Sequence, residues 1–249
     1  MVLYLIGTQH SDLKGHERLE HVLNKLKPKT IFLEGSEAFF EKAKSFSNEY
    51  IEFCIQSLRQ RGYSKIANQI QEFYTQIPNM FFELEVCRGR SEELVFLDRP
   101  ESTEKILSGL RKIIYGWLSN MPNIDDLPED KRKKILQTMS IKEFHQSTQE
   151  TAEVFYDLVY LLFGQEDKRL EDVEEILGCY RGLLIGERDS DWEQIIRPRI
   201  EQNPEEVRVG VMGMAHLLGD LKGQTLYEKI KYLKPVRGTL KSFFNDNLT

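Results

Sequence analysis

Four short segments are apolar at nearly every position, 2–6, 30–33, 94–97 and 207–212, and they stand out from a chain otherwise patterned with helical periodicity. Runs of about 4 to 8 residues that are apolar throughout, rather than alternating, are the mark of parallel strands buried on both faces. Between the first two, residues 15–26 place Leu19, Val22, Leu23 and Leu26 on one helical face, and Pro28 stops the helix. Strand, helix and strand within about 35 residues make a βαβ unit, and right-handed crossovers build such units into an open sheet.

The remaining pattern is helical. Residues 37–90 or so form an insertion broken near Gly62 and Pro78, and a second helical insertion runs from about 115 to 180. After the third strand, Pro100 suits the first turn of a helix carrying Ile106, Leu107, Leu110 and Ile113. The proline-rich, acidic stretch 119–130 reads as a connection between helices, and 140–178 as helix again. Ser190 and Glu193 have capping-box spacing, so a helix is expected to open near Ser190. The expected architecture is one α/β domain over 1–249, a central, mostly parallel sheet with helical layers and a large helical insertion.

Charge narrows the partners. With 249 residues, 30% of them charged, and a formal net charge of −6, the chain has scattered rather than striped lysines and arginines. That gives no electrostatic footprint for nucleic acid or an anionic membrane. The most apolar stretches are too short or too interrupted for the roughly 20 residues of a membrane helix. A strand begins at Val2, with no basic leader before it. Three widely spaced cysteines, Cys54, Cys87 and Cys179, suggest neither a disulfide framework nor a CxxC cluster. A cytoplasmic location is the expectation.

In open α/β sheets, ligands sit at the carboxyl ends of the strands. Here the first strand is followed by Gly7, Thr8, Gln9 and His10, the second by Glu34, the third by Asp98 and Arg99, and the fourth by Gly213, Met214, Ala215 and His216. The first and last are the same G-x-x-H pattern, with glycine expected to let the backbone turn. If their strands are neighbours, His10 and His216 share one site. Two imidazoles and a carboxylate suffice as a ligand set for Zn, Mn, Co or Fe with open positions for water and substrate.

Plainer roles stay open for each residue. The histidines suit burial against backbone carbonyls. Glu34 suits capping a helix that starts near Ser36, and Asp98 suits capping the helix after Pro100. Arg99 and Arg188 suit pairing with those acids, or holding a substrate oxygen in the guanidinium fork. His16 and His21 imitate a zinc-protease helix with one residue too many, since five helical steps turn about 140° past a revolution. His145, alone on a helix, reads as structural. GxGxxG, GxxxxGK[ST] and GxSxG are all absent from the sequence, so dinucleotide, P-loop and serine-hydrolase readings lack their motifs.

With YLIGTQHSD at 4–12, PKTIFLEGS at 28–36, LVFLDRPESTEKIL at 94–107, GERDSDW at 186–192 and VGVMGMAHLLG at 209–219, the chain resembles the TraB/PrgY family, in the group that includes GumN and the TIKI proteases. The order of these segments matches over essentially the whole chain. The resemblance implies a fold shared with erythromycin esterase and the ChaN haem-uptake proteins. It implies metal-dependent peptidase activity at His10 and His216 with the acid at Glu34. Arg188 and Asp189 match the family's E-R-D, and Asp98 and Arg99 its D-R. The membrane-spanning tails and secretory leaders of some members have no counterpart in these segments.

The expectation is therefore a metal-dependent hydrolase acting on a peptide bond. His10, His216 and Glu34 would hold Mn, Co or Zn, while Glu34, Asp98, Arg99 and Arg188 would do the catalytic work. The alternatives are an esterase of the erythromycin esterase type acting on a small ester or amide, and a non-catalytic peptide-binding regulator.

Overall fold

The computed structural model describes residues 2–76, 82–136, 141–165, 168–178, 181 and 184–245. Its centre is a five-stranded sheet in the order β3-β2-β4-β1-β5. The strands are β1 (Val2–Thr8), β2 (Thr30–Leu33), β3 (Glu93–Phe96), β4 (Val207–Gly213) and β5 (Val236–Thr239). Every pairing is parallel, with Thr8 opposite Gly213 and Leu33 opposite Val211. The α/β class with a parallel sheet is as the apolar runs indicate. The first two strands, however, are not adjacent: β4 lies between them and pairs with both.

Around the sheet run α1 (Gly15–Leu26), α2 (Glu37–Gln60), α3 (Ser64–Gln76), α4 (Phe82–Arg88), α5 (Ser102–Ser119), α6 (Glu129–Leu136), α7 (Ile141–Leu162), α8 (Leu170–Gly178), α9 (Glu187–Gln202), α10 (Leu226–Ile230) and α11 (Leu240–Asn245). Alternate strand residues serve the two faces, as the pleat requires. On one face Ile6, Ile31, Leu33, Val209 and Val211 pack with Leu19, Val22 and Leu23 of α1, Phe82 of α4, Tyr156 of α7 and Leu240 and Phe243 at the C-terminal end. On the other, Leu5, Phe32 and Met212 pack with Trp192 and Ile196 of α9 and Leu226 of α10. A third cluster, with Ile55, Leu58, Tyr63, Ala67 and Ile124, belongs to the α2–α3 pair and the turn after α5. The break near Gly62 is therefore the α2–α3 corner, and 119–130 is pinned to it by the Ile124 N–H to Arg61 carbonyl bond of 2.9 Å.

The elements depart from the sequence pattern in instructive ways. β5 carries Arg237 and Gly238 among its four residues, so its apolar signal is broken; it is an edge strand paired only with β1. The 140–178 helix is two, α7 and α8, with Gly164 at φ 79° between them. Cys54 and Cys87 are free thiols, and burial, aided by nearby Glu83, pushes the Cys87 thiol up to about 12. Pro78 and Cys179 lie outside the described residues. Among the described residues, no helix is long and apolar enough to cross a membrane.

α4 meets α1 where Gly15 faces the Phe82 ring. A Cβ at Gly15 would stand 2.4 to 2.8 Å from three atoms of that ring, which is buried in the core. Gly15→Ala is expected to lower unfolding stability by about 1–3 kcal/mol through overpacking. In denaturant titrations, combination with Phe82→Leu should recover part of that loss; a purely additive double variant would show that the contact is not the cause.

Candidate functional site at the strand ends

β4 ends at Gly213, and residues Met214–Leu217 form one 3-10 turn that carries His216 into the interior, 3% exposed. Glu34 follows β2 directly, and its N–H extends the ladder to the Val211 carbonyl at 3.0 Å. Because β4 lies between β1 and β2, the two G-x-x-H turns and Glu34 emerge side by side. The motif glycines serve closeness rather than turning. Gly213 has φ −58°, and a Cβ on Gly7 would stand 2.7 Å from Cγ of Met214, inside the other motif.

His216 is fixed from both ring nitrogens. Its Nδ1–H donates to Asp189 Oδ1 at 2.8 Å, and its Nε2 lies 3.5 Å from Glu34 Oε1, an ion-pair separation. Trp192 covers the ring at 4.4 Å between centroids. Asp189 is fully buried and also accepts the Leu226 N–H at 2.6 Å and the Gly186 N–H at 2.9 Å. Gly186 sits at φ 122°, a backbone region favouring glycine, and this turn lets the third helical residue reach back to cap the helix. α9 thus opens at Glu187, three residues before the expected start. Ser190 is instead inside the helix, its hydroxyl donating to the Gly186 carbonyl at 3.2 Å. The Asp side chain at N3 supplies the cap that Ser190 was expected to give.

Arg188, next in the same helical turn, lies across the ends of β2 and β3. Its Nε and Nη2 grip Asp98 at 3.0 and 2.6 Å, Nη2 also reaches Glu34 Oε1 at 3.1 Å, and Nη1 donates to the Leu184 carbonyl at 3.3 Å. The Trp192 indole N–H donates to Asp98 at 2.8 Å. Glu34 takes the Gly213 N–H on its other oxygen at 2.6 Å. Capping is left to Ser36, whose hydroxyl accepts the Phe39 N–H at 3.0 Å, so neither Glu34 nor Asp98 is spent on a helix terminus. Arg99 turns to the surface, 58% exposed, and pairs with Asp191 at 3.1 Å.

His10 is bound differently. Its ring is 50% exposed, and Nδ1 is 2.9 Å from Oε1 of Glu83 on α4, a carboxylate only 4% exposed. Both histidines therefore engage carboxylates through Nδ1, rather than the backbone carbonyls of the plainer reading. The loop carrying His10 is held by α7, where the Tyr156 hydroxyl accepts the Gln9 N–H at 3.1 Å. Asp12 is bound by Arg18 and Gln149 at 3.0 and 2.9 Å. Glu83, Tyr156 and Trp192 were not singled out by the sequence. Glu83 had one available signal, an acid beside Phe82 and three residues before Val86, on the apolar side of a short helix.

The electrostatics follow from this packing. Burial would lower the His216 pKa, but the charges of Asp189 and Glu34 outweigh it and raise it to about 9. For His10 burial acts the same way, weakened by the half-open ring; the Glu83 charge and hydrogen bond, with Glu34 beyond, lift it to about 9. Burial would raise the Glu34 carboxyl, yet His216, Arg188 and His10 together hold it well below the usual carboxylate range. Glu34 is thus ion-paired with His216 and feels His10 through its charge. Among the described residues no group of three or more His, Cys, Asp or Glu is arranged to hold a metal ion as it stands. The donor chemistry nevertheless fits one, because histidines that ligate metals characteristically donate the other ring N–H to a carboxylate.

No protein-family model, no curated protein and no solved structure matches the chain. The TraB/PrgY resemblance rests on the quoted motifs.

Two outcomes follow for the metal-free protein. Asp98→Ala leaves Arg188 buried with Glu34 as its remaining carboxylate partner, and should cost about 3 kcal/mol in denaturant unfolding; a loss near zero would mean that Arg188 is held by Glu34 alone. Stability should also depend on pH at this site. The raised His216 pKa contributes stability that is fully present below about pH 6.5 and is lost as pH rises through about 9. Glu34 contributes stability present above about pH 4.5 and lost as pH falls toward its depressed pKa. Melting temperatures of wild type and His216→Gln across that range should converge at alkaline pH; parallel curves would mean that the imidazolium is not stabilising.

Proposed function

We propose that the chain is a metal-dependent hydrolase of the TraB/TIKI type, with the erythromycin esterase/ChaN-like fold, acting on a peptide bond. The observation that carries this reading is the pair of histidine–carboxylate dyads, His10 with Glu83 and His216 with Asp189, at the ends of the adjacent strands β1 and β4, with Glu34 next to His216 at the end of β2. His10, His216 and Glu34 would hold Mn, Co or Zn. The chemistry such an ion supplies is Lewis acidity, which lowers the pKa of water and polarises a carbonyl.

The chain's own groups have defined work in this reading. Glu34 stays ionised and is oriented by the Gly213 N–H and Arg188, so it completes the ligand set or accepts the proton of the attacking water. Arg188 spends its donors on Asp98, Glu34 and the Leu184 carbonyl, which makes it the holder of Glu34 rather than a group waiting for an oxyanion. Beside it a cavity of about 270 Å³, lined by Ser102, Lys105, Ile106, Leu184 and Gln224, offers room for a substrate side chain. Ester hydrolysis is the second reading, supported by the Asp189–His216 dyad, in which a buried carboxylate orients an imidazole as a general base needs.

Purified protein titrated separately with Mn, Co and Zn should bind one of them stoichiometrically, gain melting temperature and cleave members of a peptide library. His216→Ala should weaken binding by more than the roughly 10–100-fold that losing a ligand's carboxylate partner costs. Ester cleavage that persists in chelator and requires His216 and Asp189 would favour the second reading. Absence of binding together with absence of any cleavage would leave a non-catalytic peptide-binding protein.

A further inference from the structure

The helical insertion before β3 makes one contact at the strand ends that packing alone does not explain. Glu83 is buried on α4 among Phe82, Val86 and Cys87, with its carboxyl 4% exposed. One oxygen meets His10 Nδ1 at 2.9 Å, while Oε2 is buried with no hydrogen-bond partner among the described residues. A buried carboxylate oxygen left unsatisfied is costly, and native structures hold few of them. An apolar residue at position 83 would pack in the same cluster without that cost. What it would lose is the grip on an imidazole that is otherwise half open to solvent.

We propose that Glu83 is the positioning residue for His10, holding the imidazole by its Nδ1–H so that any metal coordination falls to Nε2. The insertion thereby does for His10 what Asp189 at the start of α9 does for His216, and the two imidazoles are held through the same ring nitrogen by unrelated parts of the chain. The metal arm of this proposal rests on the function proposed above; the hydrogen-bond arm does not.

The test compares Glu83→Ala, Glu83→Gln and a control on the same helix, Val86→Ala. Manganese, cobalt and zinc affinities are measured by competition titration, and the His10 Nδ1–H resonance is recorded on metal-free protein. Glu83→Ala should weaken binding about 10–100-fold and abolish the downfield Nδ1–H signal. Glu83→Gln, whose amide oxygen can accept the same bond, should keep the signal and most of the affinity. Val86→Ala should lower melting temperature and change neither. Should the alanine variant fail to fold, Glu83→Asp, which withdraws the carboxylate by one methylene, replaces it with the same expected losses. If wild type binds none of these ions, the proposed function fails and the resonance alone decides. A His10 signal that survives in Glu83→Ala, or is lost equally in Val86→Ala, overturns the positioning role.

Discussion

The fork of Arg188 is the interaction on which the rest of the strand-end architecture hangs. One guanidinium joins the carboxylate after β3 to the carboxylate after β2, and the same helical turn presents Asp189 to His216. A buried cation of this kind is tolerable only with its carboxylates in place, and Glu34 and Asp98 are tolerable there only with the cation. Each group is thus a condition for the burial of the others. The Trp192 indole closes the arrangement, donating to Asp98 while its face lies 4.8 Å from the guanidinium carbon and its ring shields His216.

Sheet order turns this local cluster into a site. Had β1 and β2 been neighbours, as a simple βαβ unit suggests, His216 would have been separated from Glu34 by a strand's width of about 5 Å more. With β4 between them, Glu34 receives the Gly213 N–H directly and stands beside the turn that carries His216, with the His10 turn beyond it at the end of β1. The two halves are still unequal. His216 is sealed by the sheet, α9 and Trp192, whereas His10 faces solvent over half its ring and depends on Glu83 of α4 and on the Tyr156 and Gln149 contacts of α7 for its place. The insertions are in this sense part of the site and not decoration at its edge.

How much of this was legible in the sequence follows from where the information resides. β1, β2 and β4 declare themselves because burial on both faces demands apolar residues at every position, and the polar residues just beyond them are then conspicuous. β5, flanked by Pro235 and carrying Arg237 and Gly238, gives no such run, because an edge strand of four residues needs only one neighbour. Strand order was illegible for the same reason that it is decisive: periodicity identifies elements and is silent on which of them pair. The capping of α9 by Asp189 was hidden by a stronger-looking Ser190 and Glu193 pattern three residues on, and the difference lies in Gly186, whose φ of 122° cannot be inferred from its neighbours. Glu83 was hidden because one acid in a helical stretch normally faces water.

In the function proposed above, a metal ion would compete with protons for one set of atoms. Glu34, Asp98 and Asp189 cluster around Arg188 and His216, so His216 supplies missing positive charge and its pKa rises to about 9 against the cost of burial, while Glu83 chiefly does the same for His10. An ion at Nε2 of either histidine would have to replace a proton, because the ligating nitrogen must be unprotonated. The Nδ1–H bonds to Asp189 and Glu83 would survive that exchange, since they involve the opposite side of each ring. The carboxylate partners therefore fix the imidazoles from the side that such an ion would leave free, and replacing a proton by a divalent ion would leave both Nδ1 hydrogen bonds intact.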